Sequence, residues 1–222
     1  MEIVIDGPEN GPLCIFAHGA GAPMDSDFIN SVTSGLVALG IQVARFEFPY
    51  MQERRLTGRK RPPNRAPELL NSFEQVVNKL AVPCVLIGKS MGGRMASMLA
   101  SSFEQEGNVN AYIHGVCVLG YPFHPQGKPE KLRIDHLSDL EMPMSIIQGE
   151  RDALGSRAEI ELLFAEQKIP TSLSMLWLED GDHDLKPRKK SGFTHDQHIS
   201  EAIEYTASFI KFCLSDRKMN IK

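Results

Sequence analysis

Three side chains far apart in the sequence are of the types that together cleave acyl bonds: Ser90, Asp152 and His183. A serine hydroxyl is a weak nucleophile until a base takes its proton, and the base works best when a carboxylate fixes its orientation. Ser90 stands in Gly88-Lys89-Ser90-Met91-Gly92, a fit to G-x-S-x-G, whose glycines permit a sharp strand-to-helix turn that lifts the hydroxyl above a sheet. A serine at such a corner can also be a helix cap, so the partners decide. In this arrangement the acid and then the base follow in the chain, each just beyond a strand. "MSIIQGE" followed by "RDALG" puts Asp152 at one strand end, and "SLSMLWLED" followed by "GDHDLKP" puts His183 at the next.

The alternatives are weaker by position. Glu150 lies nearer the strand body than Asp152. Asp180, Asp182 and Asp184 crowd His183, and Asp184 is the best local hydrogen-bond partner among them. His195 and His198 read as surface or capping residues near the start of the last helix, while His114, His124 and His136 have no nucleophile-compatible pairing in chain order. The oxyanion formed in acyl transfer also needs N–H donors, normally from the residue after the nucleophile and from an early loop. Met91 fills the first role. Ala20, within "FAHGAGAPMD", fills the second, and its small neighbours allow the backbone close approach to a ligand. His18 reads as a structural hydrogen-bonding residue. This chemistry requires neither a metal nor an organic cofactor.

Positioning these groups is a matter of alternating elements. Short apolar runs rich in β-formers, "EIVI", "LCIFAH", "VARFEFP", "CVLIG", "HGVCVLGYP", "MSIIQGE" and "SLSMLWLED", alternate with segments of helical period at 27–39, 67–80, 91–103 and 156–166. A last helix at 199–214 carries an apolar stripe of Ile199, Ala202, Ile203, Ala207 and Ile210. That alternation predicts an α/β fold with a mostly parallel, doubly wound sheet and helices on both faces. Several strands are apolar on successive residues, as strands covered on both sides must be. The segment 51–66, with two prolines and many arginines, reads as one long irregular loop.

Composition narrows the class further. The chain has 222 residues, 42% hydrophobic and 23% charged, which predicts one well-buried domain over 1–222. Nothing resembles a leader or a membrane span, so a cytoplasmic protein without membrane contact is expected. Four widely spaced cysteines, Cys14, Cys84, Cys117 and Cys213, read as free thiols, three of them in apolar strands. The net charge of -4 gives no general affinity for nucleic acid, and the basic runs lack interleaved aromatics for base stacking. Those runs are nevertheless concentrated. Arg54, Arg55, Arg59, Lys60, Arg61 and Arg65 face only Glu53, and Lys186, Arg188, Lys189 and Lys190 follow His183. Arg54, Arg55, Lys186 and Arg188 are the candidates for a positive rim that draws in an anionic ester. Two solvated loops are the plainer reading.

"HGAGA", "GKSMGG", "GERDALG" and "GDHDLKPRKKSG" occur in an order and spacing that resembles the α/β-hydrolase fold over nearly the whole chain. With "RFEFPYM" and "KPRK", the chain looks more narrowly like the small dienelactone-hydrolase-like branch related to the third subunit of the non-specific-lethal chromatin complex. The resemblance implies a serine esterase or thioesterase acting on a small-molecule substrate. Dienelactone hydrolases proper use cysteine where this chain has Ser90, which argues against a shared substrate. No large insertion follows "HGVCVLGYP", so a lid is not expected. A rival class is a non-catalytic binding module that docks an acidic partner through its basic loops; the complete set of nucleophile, acid and base favours the enzyme.

Overall fold

The computed structural model describes residues 2–105, 112–166 and 168–215. Seven strands form one sheet: β1 (Ile3–Asp6), β2 (Leu13–Ala17), β3 (Gln42–Phe46), β4 (Cys84–Lys89), β5 (Ile113–Leu119), β6 (Met144–Gly149) and β7 (Ser174–Leu178). Their order is β1-β3-β2-β4-β5-β6-β7, parallel throughout except for β1, which pairs antiparallel with β3 at the edge. Helices α1 (Asp27–Ala38) and α6 (His195–Ser215) cover one face. On the other face lie α3 (Ala66–Leu80), α4 (Met91–Gln105) and α5 (Arg157–Ala165). The mostly parallel sheet with helices on both faces is the architecture that the alternating pattern predicts.

The packing follows from the strands' composition. All five residues of β2 and all six of β4 are buried, since successive side chains point to opposite faces and each face is covered. One core joins Phe46, Phe48 and Phe73 to Leu86, Met95 and Tyr121. The other joins Phe16, Ile29 and Leu36 to Ile87, Leu119 and Ile210. Of the apolar stripe on α6, Ala202, Ala207 and Ile210 are buried.

Two expectations about elements need correction. The segment 51–66 is not irregular throughout, because α2 (Pro49–Thr57) occupies its first half and the previous loop end. Pro49 at the first helical position is preorganised for a helix, Glu and Arg are good helix formers, and Gly58 ends the turn at φ 69°. The helix anchors through Tyr50 and Met51, both buried. The last helix likewise starts at His195, one turn earlier than its apolar stripe indicates. The connection from β5 to β6 carries only a 3-10 turn, Asp135–Asp139, packed against α4, so no large lid covers the sheet among the described residues.

Candidate active site

Strand order reverses between β2 and β4, since the chain runs outward to β3 from one and to β5 from the other. Loops leaving strands on either side of such a point diverge and leave a crevice at the carboxyl ends. The register pairs Ala17 with Gly88, so His18-Gly19 and Lys89-Ser90 leave the sheet side by side. Gly149 pairs with Leu178, which brings the loops of Asp152 and His183 together.

At the end of β4 the chain turns into α4 with Ser90 at φ 53°, in the left-handed region that costs a residue with a side chain energy. Close approach enforces the turn. A Cβ on Gly92 would stand 2.4 Å from the Ala17 carbonyl oxygen, and one on Gly88 would stand 2.3 Å from Gly93 N. The Ser90 N–H donates to Leu119 O at 3.0 Å, tying the turn to β5. Among the described residues the Ser90 hydroxyl bonds no backbone N–H. It lies 2.8 Å from His183 Nε2, while His183 Nδ1 lies 2.7 Å from Asp152 Oδ2. With the carboxylate accepting from Nδ1–H, Nε2 is the acceptor that faces the hydroxyl.

Asp152 is wholly buried and held on both oxygens. Oδ1 accepts from Leu154 N at 2.8 Å, and Oδ2 accepts from Gln148 Nε2 at 2.9 Å as well as from the imidazole. Gln148 is a residue that sequence reasoning missed. Its signal is a polar side chain inside the apolar strand "MSIIQG", where a buried amide must find partners; here they include Tyr121 N, Tyr121 O and Gly155 O. Glu150, the alternative acid, instead accepts from Arg157 and from Asp180 N.

Lys89 was also missed, although it stands inside the motif. It is 7% exposed, and its Nζ donates to the His183 carbonyl oxygen, lies 3.2 Å from Asp184 Oδ1 and sits 5.3 Å from the Phe28 ring centroid. Burial lowers its pKa, and the nearby carboxylate of Asp184 acts in the opposite direction. Asp184 therefore pairs with Lys89 and is not the hydrogen-bond partner of His183; the imidazole's free nitrogen is already taken by the better buried Asp152. His198 is no surface residue either. It is buried and bonds through Nδ1 to Leu185 O, while His195 Nε2 meets Asp184 O, so α6 fastens the histidine loop from below.

The loop after β2 is held from outside. The carbonyl of Gly19 accepts from His18 Nδ1 at 2.7 Å and from Tyr50 OH at 3.2 Å, that of Ala20 from Tyr50 OH at 3.0 Å, and that of Gly21 from Arg54 Nη1 at 3.2 Å. His18 Nε2 accepts from Phe48 N, so the ring carries its proton on Nδ1, and burial pushes its pKa down. Because a trans peptide directs C=O and N–H to opposite sides, fixing the Gly19 carbonyl outward turns the Ala20 N–H inward. Among the described residues that N–H has no acceptor. Met91 N, at the first helical position, has no intrahelical partner. Both line or flank a cavity of about 310 Å³ bounded by Gly19, Ala20, Phe28, Lys89, Ser90 and His183. A wider groove of about 650 Å³ lies at the opposite end of the strands, around Pro12, Val82 and Leu214, far from these groups.

Of the four rim candidates, none lines the cavity. Arg55 is engaged by Glu47 and Asp25, and Arg188 by Asp180. Arg54 braces Gly21, and Lys186 is exposed, its backbone N–H taken by Asp182. Opposite charges already on the surface neutralise much of the expected rim. The cysteines are all free, with Cys14, Cys84 and Cys117 buried. No described group of side chains could hold a metal ion, and no described helix is long and apolar enough to cross a membrane.

Known structures share this framework. Est1E from Butyrivibrio proteoclasticus, solved with ferulic acid, superposes with a TM-score of 0.68 at 17% identity over 96% of this chain and 95% of that one. XC6422 from Xanthomonas campestris, described as a serine hydrolase without lid, gives 0.62 at 15% identity over 99% and 90%. The monoacylglycerol lipase of Paleococcus ferrophilus gives 0.64 at 15% identity over 94% and 99%. No curated protein matches the sequence. At these identities the likeness is one of fold. The family itself is shown by the sequence, whose residues 10–211 match the alpha/beta hydrolase domain, and the chain belongs to that family.

Proposed function

We propose that the protein is a serine hydrolase that cleaves a small ester or thioester through an acyl-Ser90 intermediate. One observation carries the reading: a hydroxyl, an imidazole and a buried carboxylate in series, at 2.8 Å and 2.7 Å, opening onto a cavity. His183 Nε2 takes the Ser90 proton as Oγ attacks the acyl carbon, and Asp152 holds the tautomer and stabilises the imidazolium. The N–H groups of Met91 and Ala20 receive the oxyanion. The imidazolium returns the proton to the leaving oxygen or sulfur, and water, activated by the same nitrogen, releases the acid.

The cavity of about 310 Å³ suits a small acyl group, at the lower end of ligand sites. That Est1E was solved with ferulic acid, a small carboxylic acid, is in keeping with this class. The motifs shared with the branch related to the non-specific-lethal subunit belong to the same reading and name no substrate. Four free thiols fit a reducing compartment, so the proposal includes a cytoplasmic location.

A fluorophosphonate probe tests the mechanism. Wild type should label at Ser90 and Ser90→Ala should not, and purified wild type should turn over members of a panel of acyl esters and acyl-CoA thioesters. Absence of both labelling and turnover in folded wild-type protein would return the chain to the class of non-catalytic scaffolds.

A further inference from the structure

Asp152 and His183 lie on loops that leave neighbouring strands with unequal support. Among the described residues β7 pairs only with β6, so it is an edge strand, and the loop that carries His183 starts from it. An edge strand has a partner on one side only, and a loop that extends it must be held by other means.

The loop is closed at its neck by Asp180, three residues before His183. The Asp180 carboxylate accepts from the Arg188 N–H at 3.0 Å and from the Arg188 guanidinium through Nε at 2.9 Å and through Nη2. Inside the neck Gly181 bridges Pro187, Asp182 N–H donates to Lys186 O at 3.0 Å, and Asp182 Oδ1 accepts from the N–H groups of Asp184 and Lys186. Asp180 also reaches the other loop. Arg151, the residue before Asp152, has its Nε 2.9 Å from Asp180 Oδ1 and donates to the Asp180 carbonyl at 2.9 Å. The Arg151 N–H donates to Gly181 O at 2.8 Å, and Glu150 Oε2 accepts from the Asp180 N–H at 3.1 Å. One carboxylate thus joins the neighbour of Asp152 to both ends of the loop that presents His183.

An isolated exposed ion pair contributes little, but this one differs in two respects. The Asp180 side chain is only 12% exposed, and it meets two guanidinium groups, one of them through two N–H donors in the fork geometry that suits a carboxylate. Its backbone stands at φ 54°, in the left-handed region that aspartate and asparagine tolerate better than most residues with a side chain.

On the reading of Ser90 as nucleophile and His183 as its base, we propose that Asp180 is a positioning residue. By joining Arg151 to Arg188 it keeps the loop of the base in register with that of the acid, and so holds His183 Nδ1 at 2.7 Å from Asp152 Oδ2. It does not line the cavity and acts only through the two loops. Arg188, in the basic run after His183, then serves as a clamp and not as a rim charge.

Asp180→Asn keeps the shape and the backbone preference of the residue and removes its charge. With an ester that wild type hydrolyses, kcat should fall about tenfold while KM stays within about twofold, because a displaced base acts on the chemical step. Arg188→Met should act in the same direction, and in the double variant the two losses should not multiply, since both cut one contact. A purely structural role would lower the urea midpoint and leave kcat of the folded protein unchanged; that result, or losses that multiply, overturns the proposal. Proton NMR gives a readout free of turnover. The low-field signal of the His183 Nδ1–H, identified by its absence in His183→Gln, should be present in wild type and broadened or lost in Asp180→Asn. A signal unaltered in the variant, or already missing in wild type, overturns the proposal. If wild type turns over no ester and Ser90 does not label, the hydrolase reading fails, and the NMR comparison alone decides the clamp.

Discussion

Ser90 is held at φ 53° by a turn whose glycines cannot carry side chains, so the strain belongs to the backbone and survives loss of the hydroxyl. Alanine keeps that strain and glycine does not. Ser90→Gly is therefore expected to be more stable than Ser90→Ala, by up to about 1 kcal/mol after the greater unfolded-state freedom of glycine is counted. Urea denaturation of the two variants decides it, and a more stable alanine variant would mean that the turn is relaxed. Lys89 acts on the same scale. Its ammonium fastens the His183 carbonyl and Asp184 to β4, so on the proposed mechanism Lys89→Met should lower kcat by about tenfold to 10²-fold while KM changes little, as expected when the proposed base drifts. The stability loss should stay near 1 kcal/mol or below, because the Asp184 side chain is 71% exposed and is rehydrated when its partner goes. An unchanged kcat would remove Lys89 from the positioning of His183.

Among the elements, α2 has the largest consequence for its length. It presents Tyr50 and Arg54 to the carbonyls of Gly19, Ala20 and Gly21, and those bonds turn the opposing N–H groups toward Ser90. Tyr50→Phe leaves the ring in place, frees the Ala20 carbonyl and leaves that of Gly19 to His18 alone. Outright loss of an oxyanion donor costs about 10² to 10³ in kcat, so a loop that is merely loosened should cost about tenfold, read as a fall in kcat with thermal stability nearly kept. The start of α4 is less forgiving. A Cβ at Gly92 would run into the Ala17 and His18 carbonyl oxygens at 2.4 and 2.5 Å, both backbone atoms that cannot rotate away. Gly92→Ala should destabilise by about 3 kcal/mol and shift the urea midpoint accordingly.

Over the whole molecule, pH sensitivity follows from two imidazoles that fold keeps neutral. Burial, with the nearby charge of Arg94, lowers the His136 pKa from 6.5 to about 4, and burial lowers that of His18. In each case the unfolded chain takes up its proton at higher pH than the folded one. Stability is thus unaffected by either group above about pH 6.5 and falls as pH drops below it, for His136 down to about 4, with a slope of at most about 1.4 kcal/mol per pH unit for each group. His136→Gln should flatten that part of the stability curve measured by urea denaturation between pH 7 and 4. The carboxyl of Asp184 behaves in the same sense further into acid: burial raises its pKa, but Lys89, together with His183 and His195, more than reverses the effect, and its contribution disappears only as pH falls through the lowered value.

The sequence by itself determined what is local in the chain. A strand, a glycine-flanked serine and a helix succeed one another within about twenty residues, so steric rules alone prescribe the turn at Ser90. The alternation of apolar runs with helical periods likewise prescribes a covered parallel sheet. The helix at Pro49–Thr57 escaped because it is short, nine residues of which three are charged, and only Tyr50 and Met51 mark a buried face. What only the tertiary structure decided is which distant groups meet. Strand order and register bring Ser90 to His183 across 93 positions and Lys89 to Asp184, and they engage Arg55 and Arg188 in ion pairs. Such pairings depend on how separate segments dock against one another in space, and the pattern within any single segment carries no record of its neighbour.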